Sequence, residues 1–200
     1  MVTGYYSDVN VVSHGFLRTH DGTFTTFDVP GAGTGFFLGT TPVAINPAGT
    51  ITGLYQDASN TYHGFVRTAS GAITAFDAPN SLSTFPSSIN PAGVIVGYYY
   101  VASGGSAAFV RTPDGNFTVV QDPSAIYGTY GSGINPEGAI TGSYEDDVDN
   151  VVRSHGFLRA TDGTFTTIDP PGAVGLPDTF CMPELRRPHQ PGRGYYRILC

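Results

Sequence analysis

Three histidines recur at one position of a repeating pattern, and histidine is the side chain best suited to proton transfer or metal binding near neutral pH. They are His14, His63 and His155, and the same position of a further copy is Ala107. Zinc needs its ligands about 2 Å from one point, whereas equivalent positions of successive units lie apart. We therefore expect the three histidines to be structural positions of the repeat.

Arginine and aspartate also recur with the repeat. The arginines are Arg18, Arg67, Arg111 and Arg159, and the aspartates are Asp28, Asp77 and Asp169. The two types lie in adjacent predicted strands, and guanidinium and carboxylate groups form strong bidentate pairs. The pattern predicts Arg–carboxylate pairs that join strand to strand or unit to unit. A ligand-facing role for Arg67, Arg111 and Arg159 is the alternative.

The densest group of carboxylates lies in residues 145–150 and includes Asp146, Asp147 and Asp149. Oxygen ligands at alternating positions suit Ca²⁺, but the segment lacks the twelve-residue calcium loop with its Gly and terminal Glu. A solvated acidic loop is the favoured interpretation, and a calcium site on these three aspartates is the alternative. No other cofactor is predicted.

Tyrosines occupy equivalent positions on one predicted strand of each copy, among them Tyr55, Tyr99 and Tyr144. Exposed tyrosine rings suit stacking on a sugar or contact with a flat protein partner. Packing between units is the simpler interpretation, and ligand contact by these three rings is the alternative. Asn46, Asn90 and Asn135 are expected to serve turns.

The chain lacks the motifs of common catalytic sites. It contains no Gly-x-Ser-x-Gly elbow, and it has no Lys with which to form a phosphate-binding loop. Cys181 and Cys200 have no neighbouring basic or helical context that would mark a nucleophile. We predict no catalytic residue.

A repeat of about 45 residues positions all of these side chains. Its leading glycines are Gly4, Gly53, Gly97 and Gly142, and each is followed by His/Ala-x-Phe-x-Arg and then by Phe/Ile-Thr-x-x-Asp/Gln. Ile-Asn-Pro-x-Gly closes the pattern three times. Asp-Gly between β-branched or aromatic runs predicts hairpins, and Asn-Pro-x-Gly predicts a type I turn. Each unit is therefore predicted to be a four-stranded meander.

Radially stacked four-stranded units are typical of propellers. We predict an all-β fold, a β-propeller of four blades with units at about 1–46, 47–90, 91–135 and 136–183, in one domain of residues 1–185. Cys181-Met182-Pro183 aligns with Ile-Asn-Pro and is expected to complete the first blade beside residues 1–6. A slice of a larger propeller is the alternative.

The charge of the chain limits its partners. The net charge is −7, whereas nucleic acids and anionic membranes need basic patches, so neither is an expected partner. No apolar run is long enough to span a membrane, and the first residues lack the features of a signal peptide. Residues 186–200 break the pattern and are predicted to be a disordered basic tail. We expect a monomer.

The recurrent His-Gly-Phe-x-Arg, Asp-Gly-x-Phe-Thr-x-Phe-Asp and Ile-Asn-Pro-x-Gly segments resemble the HAF-type extracellular repeat of environmental bacteria. The resemblance covers residues 1 to about 183. It implies a β-propeller-like repeat protein that is extracellular or periplasmic, and it implies no active site.

The expected function is a non-enzymatic binding or scaffold module that presents loops and tyrosines to a carbohydrate or protein partner. Repeated equivalent pockets would provide avidity without catalysis. A hydrolase or lyase on a propeller scaffold is one alternative, and its site would break the symmetry at residues 145–150 or in the connection 31–44. A gene fragment without independent function is the other.

Overall fold

A computed structural model describes residues 1–148 and 151–171. These residues form β-strands joined by turns and contain no helix, so none of them forms a helix that could cross a membrane. The strands are β1 (Val2–Ser7), β2 (Ser13–Arg18), β3 (Phe24–Phe27), β4 (Gly39–Ile45), β5 (Ile51–Gln56), β6 (Tyr62–Arg67), β7 (Ile73–Phe76), β8 (Ser81–Ile89), β9 (Ile95–Val101), β10 (Ser106–Arg111), β11 (Phe117–Val120), β12 (Gly128–Ile134), β13 (Ile140–Val148), β14 (Val151–Arg159) and β15 (Phe165–Ile168).

Consecutive strands pair antiparallel into four meanders, which we call unit 1 (β1–β3), unit 2 (β4–β7), unit 3 (β8–β11) and unit 4 (β12–β15). One parallel residue pair joins units 1 and 2, and another joins units 3 and 4, giving sheets of seven and eight strands. The predicted all-β meanders are confirmed. Units 2, 3 and 4 begin at residues 39, 81 and 128 and not at the predicted boundaries, because the Asn-Pro-x-Gly turn connects the first two strands of a unit instead of separating units.

The described strands do not form a closed ring, and a four-bladed propeller is not established by them. Cys181-Met182-Pro183, which we expected to complete unit 1, and the basic segment 186–200 lie outside the described residues.

The hydrophobic core is divided among the contacts between successive units. One cluster joins Leu17 and Val29 of unit 1 to Ile51, Tyr55 and Phe65 of unit 2. The contacts between units 2 and 3 and between units 3 and 4 repeat this arrangement, with Phe109 and Phe157 in place of Phe65. These three phenylalanines are at most 1% exposed, and burying each contributes roughly 1.5–3 kcal/mol.

The leading glycine of each unit makes room for that phenylalanine. At Gly97 a Cβ would lie 2.8 Å from the ring of Phe109 and closer still to the carbonyl oxygen of Phe85. The equivalent rings of Phe65 and Phe157 lie across Gly53 in unit 2 and Gly142 in unit 4. The Gly and the Phe of the repeat are therefore a matched pair on neighbouring strands.

Buried threonines connect each unit to the one before it. Thr40, Thr84 and Thr129 are completely buried. Their hydroxyls accept the backbone N–H of Val29, Ala78 and Asp122 at 2.9, 3.0 and 3.1 Å. A buried amide without a partner is costly, so these hydroxyls hold the chain where it passes from one unit to the next.

The repeated asparagines do more than serve turns. The Oδ1 of Asn46 accepts the N–H of Thr50 at 3.0 Å, and that of Asn90 accepts the N–H of Val94 at 2.9 Å. Their Nδ2 groups donate to the carbonyls of Asn90 and Asn135 at 3.2 and 3.4 Å. The turn prediction is confirmed, and the same side chains align the ends of β4, β8 and β12.

The aligned strands create two distinct faces. The turn face carries the Asn-Pro-x-Gly turns and the turns at 19–22, 68–71, 112–115 and 160–163. The loop face carries the hairpin connections 8–12, 57–61 and 102–105 and the connections between units at 28–38, 77–80 and 121–127. Functional side chains can therefore be assigned to one face or the other from their strand ends.

Candidate functional site

Each repeated histidine lies on the loop face between two carboxylates. In unit 2, His63 donates from Nδ1 to Asp77 at 3.0 Å, and its Nε2 lies 3.5 Å from Asp57 Oδ2. The ring of Tyr55 stacks on the imidazole with centroids 4.9 Å apart. Asp57 follows β5, His63 is the second residue of β6 and Asp77 follows β7, so the group connects three strands at one end of the unit.

The same group occurs in units 1 and 4. His14 lies 2.9 Å from Asp28 and 3.8 Å from Asp8, with Tyr6 beside it. His155 lies 2.7 Å from Asp169 and 3.3 Å from Asp146, with Tyr144 stacked on its ring. We call these three groups the histidine clusters.

Unit 3 has lost this arrangement as a whole. Its Tyr99 is retained, but the positions of the histidine and the two carboxylates hold Ala107, Val101 and Gln121. The histidine and its two carboxylates are thus present together in a unit or replaced together. This pattern indicates that each cluster acts as one set, and the structural role of the histidines stays a prediction.

The electrostatics of the clusters follow from these contacts. The hydrogen bond to Asp169 raises the pKa of His155 above its usual value of 6.5. The N–H of Val12 lowers the pKa of Asp8, and the N–H of Thr61 lowers that of Asp57. Backbone donors keep these two carboxylates ionised, so they face the imidazoles as anions.

The predicted Arg–carboxylate pairs are wrong. The repeated arginine ends its strand at the turn face, whereas the repeated aspartate follows the next strand at the loop face. Antiparallel pairing places Arg67 opposite Ile73, and Gly64 opposite Phe76, which precedes Asp77. The carboxylate therefore meets His63 at the other end of the hairpin.

Aromatic rings take the place of carboxylates beside the arginines. The guanidinium of Arg67 lies 4.9 Å from the centroid of Phe27 in unit 1. That of Arg111 lies 4.7 Å from Phe76 in unit 2, also in the preceding unit. These contacts join unit to unit by cation–π attraction.

Arg159 lacks such a ring, because Val120 occupies the corresponding position of unit 3. Its guanidinium lies 5.9 Å from Phe165 of its own unit instead. Arg67, Arg111 and Arg159 therefore pack on rings, and their alternative role in ligand contact stays a prediction.

The three tyrosines considered as ligand contacts are buried. Tyr55, Tyr99 and Tyr144 are 8, 6 and 4% exposed and belong to the core clusters between units. Packing between units, the simpler interpretation, is what the structure shows, and the rings cannot stack on a sugar in this arrangement. Side chains alternate along a strand, so the residues on either side of each tyrosine face the other way.

The acidic segment is strand over most of its length. Strands β13 and β14 continue through most of this segment, with Asp146 opposite Arg153 and Asp147 opposite Val152. Asp146 faces His155, and Asp147 accepts the hydroxyl of Tyr127 at 2.8 Å. The predicted solvated loop is corrected at these residues, and the two carboxylates do not converge.

Asp149 lies outside the described residues. Within 1–148 and 151–171, no group of three or more His, Cys, Asp or Glu side chains is arranged to hold a metal ion.

Unit 3 and its neighbours carry an aromatic cluster that the repeat pattern did not predict. Phe85 and Tyr98 stack with centroids 4.9 Å apart and planes 11° apart. Tyr100 meets Phe85 edge-on at 5.4 Å, Tyr62 of unit 2 lies 5.1 Å from Phe85, and Tyr130 of unit 4 lies 5.2 Å from Tyr98. We call these five residues the aromatic cluster.

The surroundings of the aromatic cluster combine exposure with negative charge. Tyr100 is 40% exposed. The hydroxyl of Tyr130 donates to Glu145 at 3.4 Å, and Glu145 and Asp147 point to the same side of β13. Burial raises the pKa of Tyr98 and of Tyr130, so both phenols stay protonated as donors. The aromatic cluster thus has one exposed ring, Tyr100, and adjoins a carboxylate on the loop face through Tyr130.

Two signals in the sequence could have located these groups. Tyr-x-Asp precedes each histidine and is absent only where His is replaced by Ala107. Tyr98-Tyr99-Tyr100 departs from the single buried tyrosine of unit 2, Leu54-Tyr55-Gln56. The extra tyrosines on either side of Tyr99 therefore indicated the aromatic cluster in the sequence.

Comparisons with known structures agree with the observed architecture. No protein-family model and no curated protein matches the chain. A virginiamycin B lyase from Staphylococcus aureus is similar in structure at 16% identity over 79% of this chain and 49% of the other, with a TM-score of 0.51. A streptogramin B lyase structure matches at 14% identity over 84% of this chain and 68% of the other, with a TM-score of 0.44.

The chain spans about half the length of the virginiamycin B lyase that it matches. At this identity the likeness concerns the fold alone. The fold is all-β and propeller-like.

Proposed function

We propose that the chain is a non-enzymatic binding module whose loop face presents the aromatic cluster to a carbohydrate or protein partner. The observation that carries the proposal is the local break in the repeat. Unit 3 lacks a histidine cluster and instead has Tyr98 and Tyr100 beside Phe85. Aromatic rings that are partly exposed to solvent are typical of binding surfaces.

Two variants of matched chemistry test the proposal. Partners are first sought with a glycan array and with a display library of peptides and proteins. Tyr100→Ala is then expected to weaken the strongest hit about tenfold or more, because aromatic anchors dominate such contacts. Tyr5→Ala is the control, since Tyr5 is 55% exposed and lies on the corresponding strand of unit 1. The absence of any hit, or equal losses in the two variants, would contradict the proposal.

A lyase or hydrolase is the second proposal, and its support is the fold likeness to streptogramin-type lyases. His155 with Asp146 and Asp169 would be its acid–base group. The same arrangement at His63 with Asp57 and Asp77 favours a structural role for all three clusters. Turnover of a streptogramin B substrate that is lost in His155→Ala and retained in His63→Ala would favour the enzyme.

The closed ring of four blades is also retained as a proposal. Unit 1 lacks a strand equivalent to β4, β8 and β12, and β1 is the end strand of its sheet among the described residues. We propose that residues 181–183 occupy this edge. A chain ending at residue 171 is then expected to unfold at lower temperature than one ending at residue 185, and equal melting temperatures would speak against closure by this segment.

The HAF-type resemblance supports an extracellular or periplasmic site of action, which is part of the proposal. Detection of the native protein in cytoplasmic rather than periplasmic or secreted fractions would contradict it.

A further inference from the structure

The loop face carries most of the negative charge of the described residues. Nine carboxylates lie at its strand ends or connections, and a single arginine, Arg153, accompanies them. These carboxylates are Asp8, Asp28, Asp57, Asp77, Asp122, Glu145, Asp146, Asp147 and Asp169.

The turn face is balanced by comparison. Its described carboxylates are Asp21, Asp114, Glu137 and Asp162, and the four repeated arginines lie at the same strand ends. Among the described residues, the excess of negative charge is therefore concentrated on the face that holds the aromatic cluster.

We propose that the partner of the loop face is an arginine-rich peptide segment, an inference that rests on the binding function proposed above. An arginine side chain stacks on an aromatic ring while its planar N–H groups reach carboxylates at the ring edge. Tyr100 and Glu145 are both electrostatic neighbours of the Tyr130 hydroxyl, so an exposed ring and a carboxylate are available in the same part of the loop face.

The arrangement of the rings favours a guanidinium over a neutral sugar. A sugar needs a broad exposed ring face, whereas Phe85 and Tyr98 cover each other and Tyr130 meets Tyr98 at 68°. Tyr100 is the exposed member of the aromatic cluster, and it meets Phe85 edge-on. A planar cation fits such a site, because it satisfies the acceptors and the ring together.

The spread of the charge favours an extended partner over a single cation. Asp28 and Asp77 are 55 and 50% exposed and lie in successive units. The Nδ1 of each histidine partner contacts both oxygens of its carboxylate, but about half of each aspartate side chain is exposed, so a second and a third cationic side chain can pair there. Charge of this kind also accelerates association with a basic partner.

The probe for the test is a fluorescently labelled hexa-arginine peptide, titrated with the full chain and followed by anisotropy. We expect binding that weakens about tenfold or more in the double variant Glu145→Gln/Asp147→Asn. The control is Asp21→Asn/Asp114→Asn, which removes the same charge from the turn face and is expected to change binding less than about twofold. Thermal melts confirm that both variants are folded.

The outcomes separate this inference from the binding function itself. Equal weakening by the two double variants would show attraction by net charge only and would overturn the inference. Binding of a neutral glycan or of a chitosan oligomer without binding of the peptide would overturn it too, while leaving a binding module in place. Loss of peptide affinity in Tyr100→Ala but not in Tyr5→Ala would support it.

Discussion

Units 2 and 3 share one plan and differ at one end. Both bury a phenylalanine across a leading glycine, and both stack an arginine on a ring of the preceding unit. In both, a buried threonine hydroxyl accepts a backbone N–H from the connection to the preceding unit. At the loop face, unit 2 has the cluster of His63, whereas unit 3 has Ala107 and the aromatic cluster. The difference shows that the interior is constrained by the neighbouring unit and the loop end is free to change.

The largest expected effect concerns what the two units share. Phe65→Ala and Phe109→Ala each remove a fully buried ring and are expected to lower the free energy of unfolding by about 3–5 kcal/mol. Urea denaturation measures both. Phe24→Ala is the control, since Phe24 is 61% exposed. A much larger loss of unfolding free energy in one unit than in the other would contradict equivalent interiors for the two units.

The buried threonines come next. Thr40→Val and Thr84→Val keep the side-chain volume but leave the N–H of Val29 or Ala78 without its acceptor. We expect each to cost about 1–3 kcal/mol in the same denaturation measurement. Thr74→Val, at an exposed position of β7, should be close to neutral, and a neutral result at Thr40 or Thr84 would remove their assigned role.

A third set of variants converts unit 2 towards unit 3. His63→Ala leaves Asp57 and Asp77 without their shared partner and should cost about 1 kcal/mol. The triple variant Asp57→Val/His63→Ala/Asp77→Gln carries the residues of unit 3 and should recover part of that loss, because coupled side chains are not additive. Additive losses in the denaturation series would contradict a cluster that acts as one set.

The pH dependence distinguishes a unit with a histidine cluster from one without it. The pKa of His155 in the folded chain is raised above 6.5 by Asp169, so its contribution is fully present below about pH 6.5 and is lost as pH rises through the folded pKa. The lowered pKa values of Asp8 and Asp57 act oppositely. Their contribution is present above about pH 4 and is lost as pH falls.

Melting temperatures across this range measure the effect. Wild type should exceed His155→Gln by roughly 1–3 °C at about pH 6, and the difference should shrink above neutral pH. A difference that is constant with pH would show that protonation of His155 plays no part.

The smallest expected effect on stability is at the site itself. Tyr100→Ala removes a side chain that is 40% exposed and should change the free energy of unfolding by no more than about 0.5 kcal/mol. Calorimetry checks this value. A large loss of stability would contradict this expectation and would show that the aromatic cluster supports the fold.

Much of the fold could be predicted from the amino-acid sequence. The interval between leading glycines, the Asp-Gly hairpins and the Asn-Pro-x-Gly turns predicted all-β meanders, and the structure has them. These signals are local, because a turn and the alternation of a short strand depend on a few adjacent residues. Antiparallel pairing of the predicted hairpin also implies that Asp77 lies opposite His63 and that Arg67 lies at the other end of the hairpin.

The tertiary structure alone decided which side of each strand faces a neighbouring unit. Tyr99 is buried against unit 2 while the adjacent Tyr100 is exposed, although the two side chains are chemically identical. Their difference arises from packing between residues distant in the chain, where one strand face meets another unit and the other meets solvent. The sequence by itself determined the units and their strands, and the contact between units determined where a partner can bind.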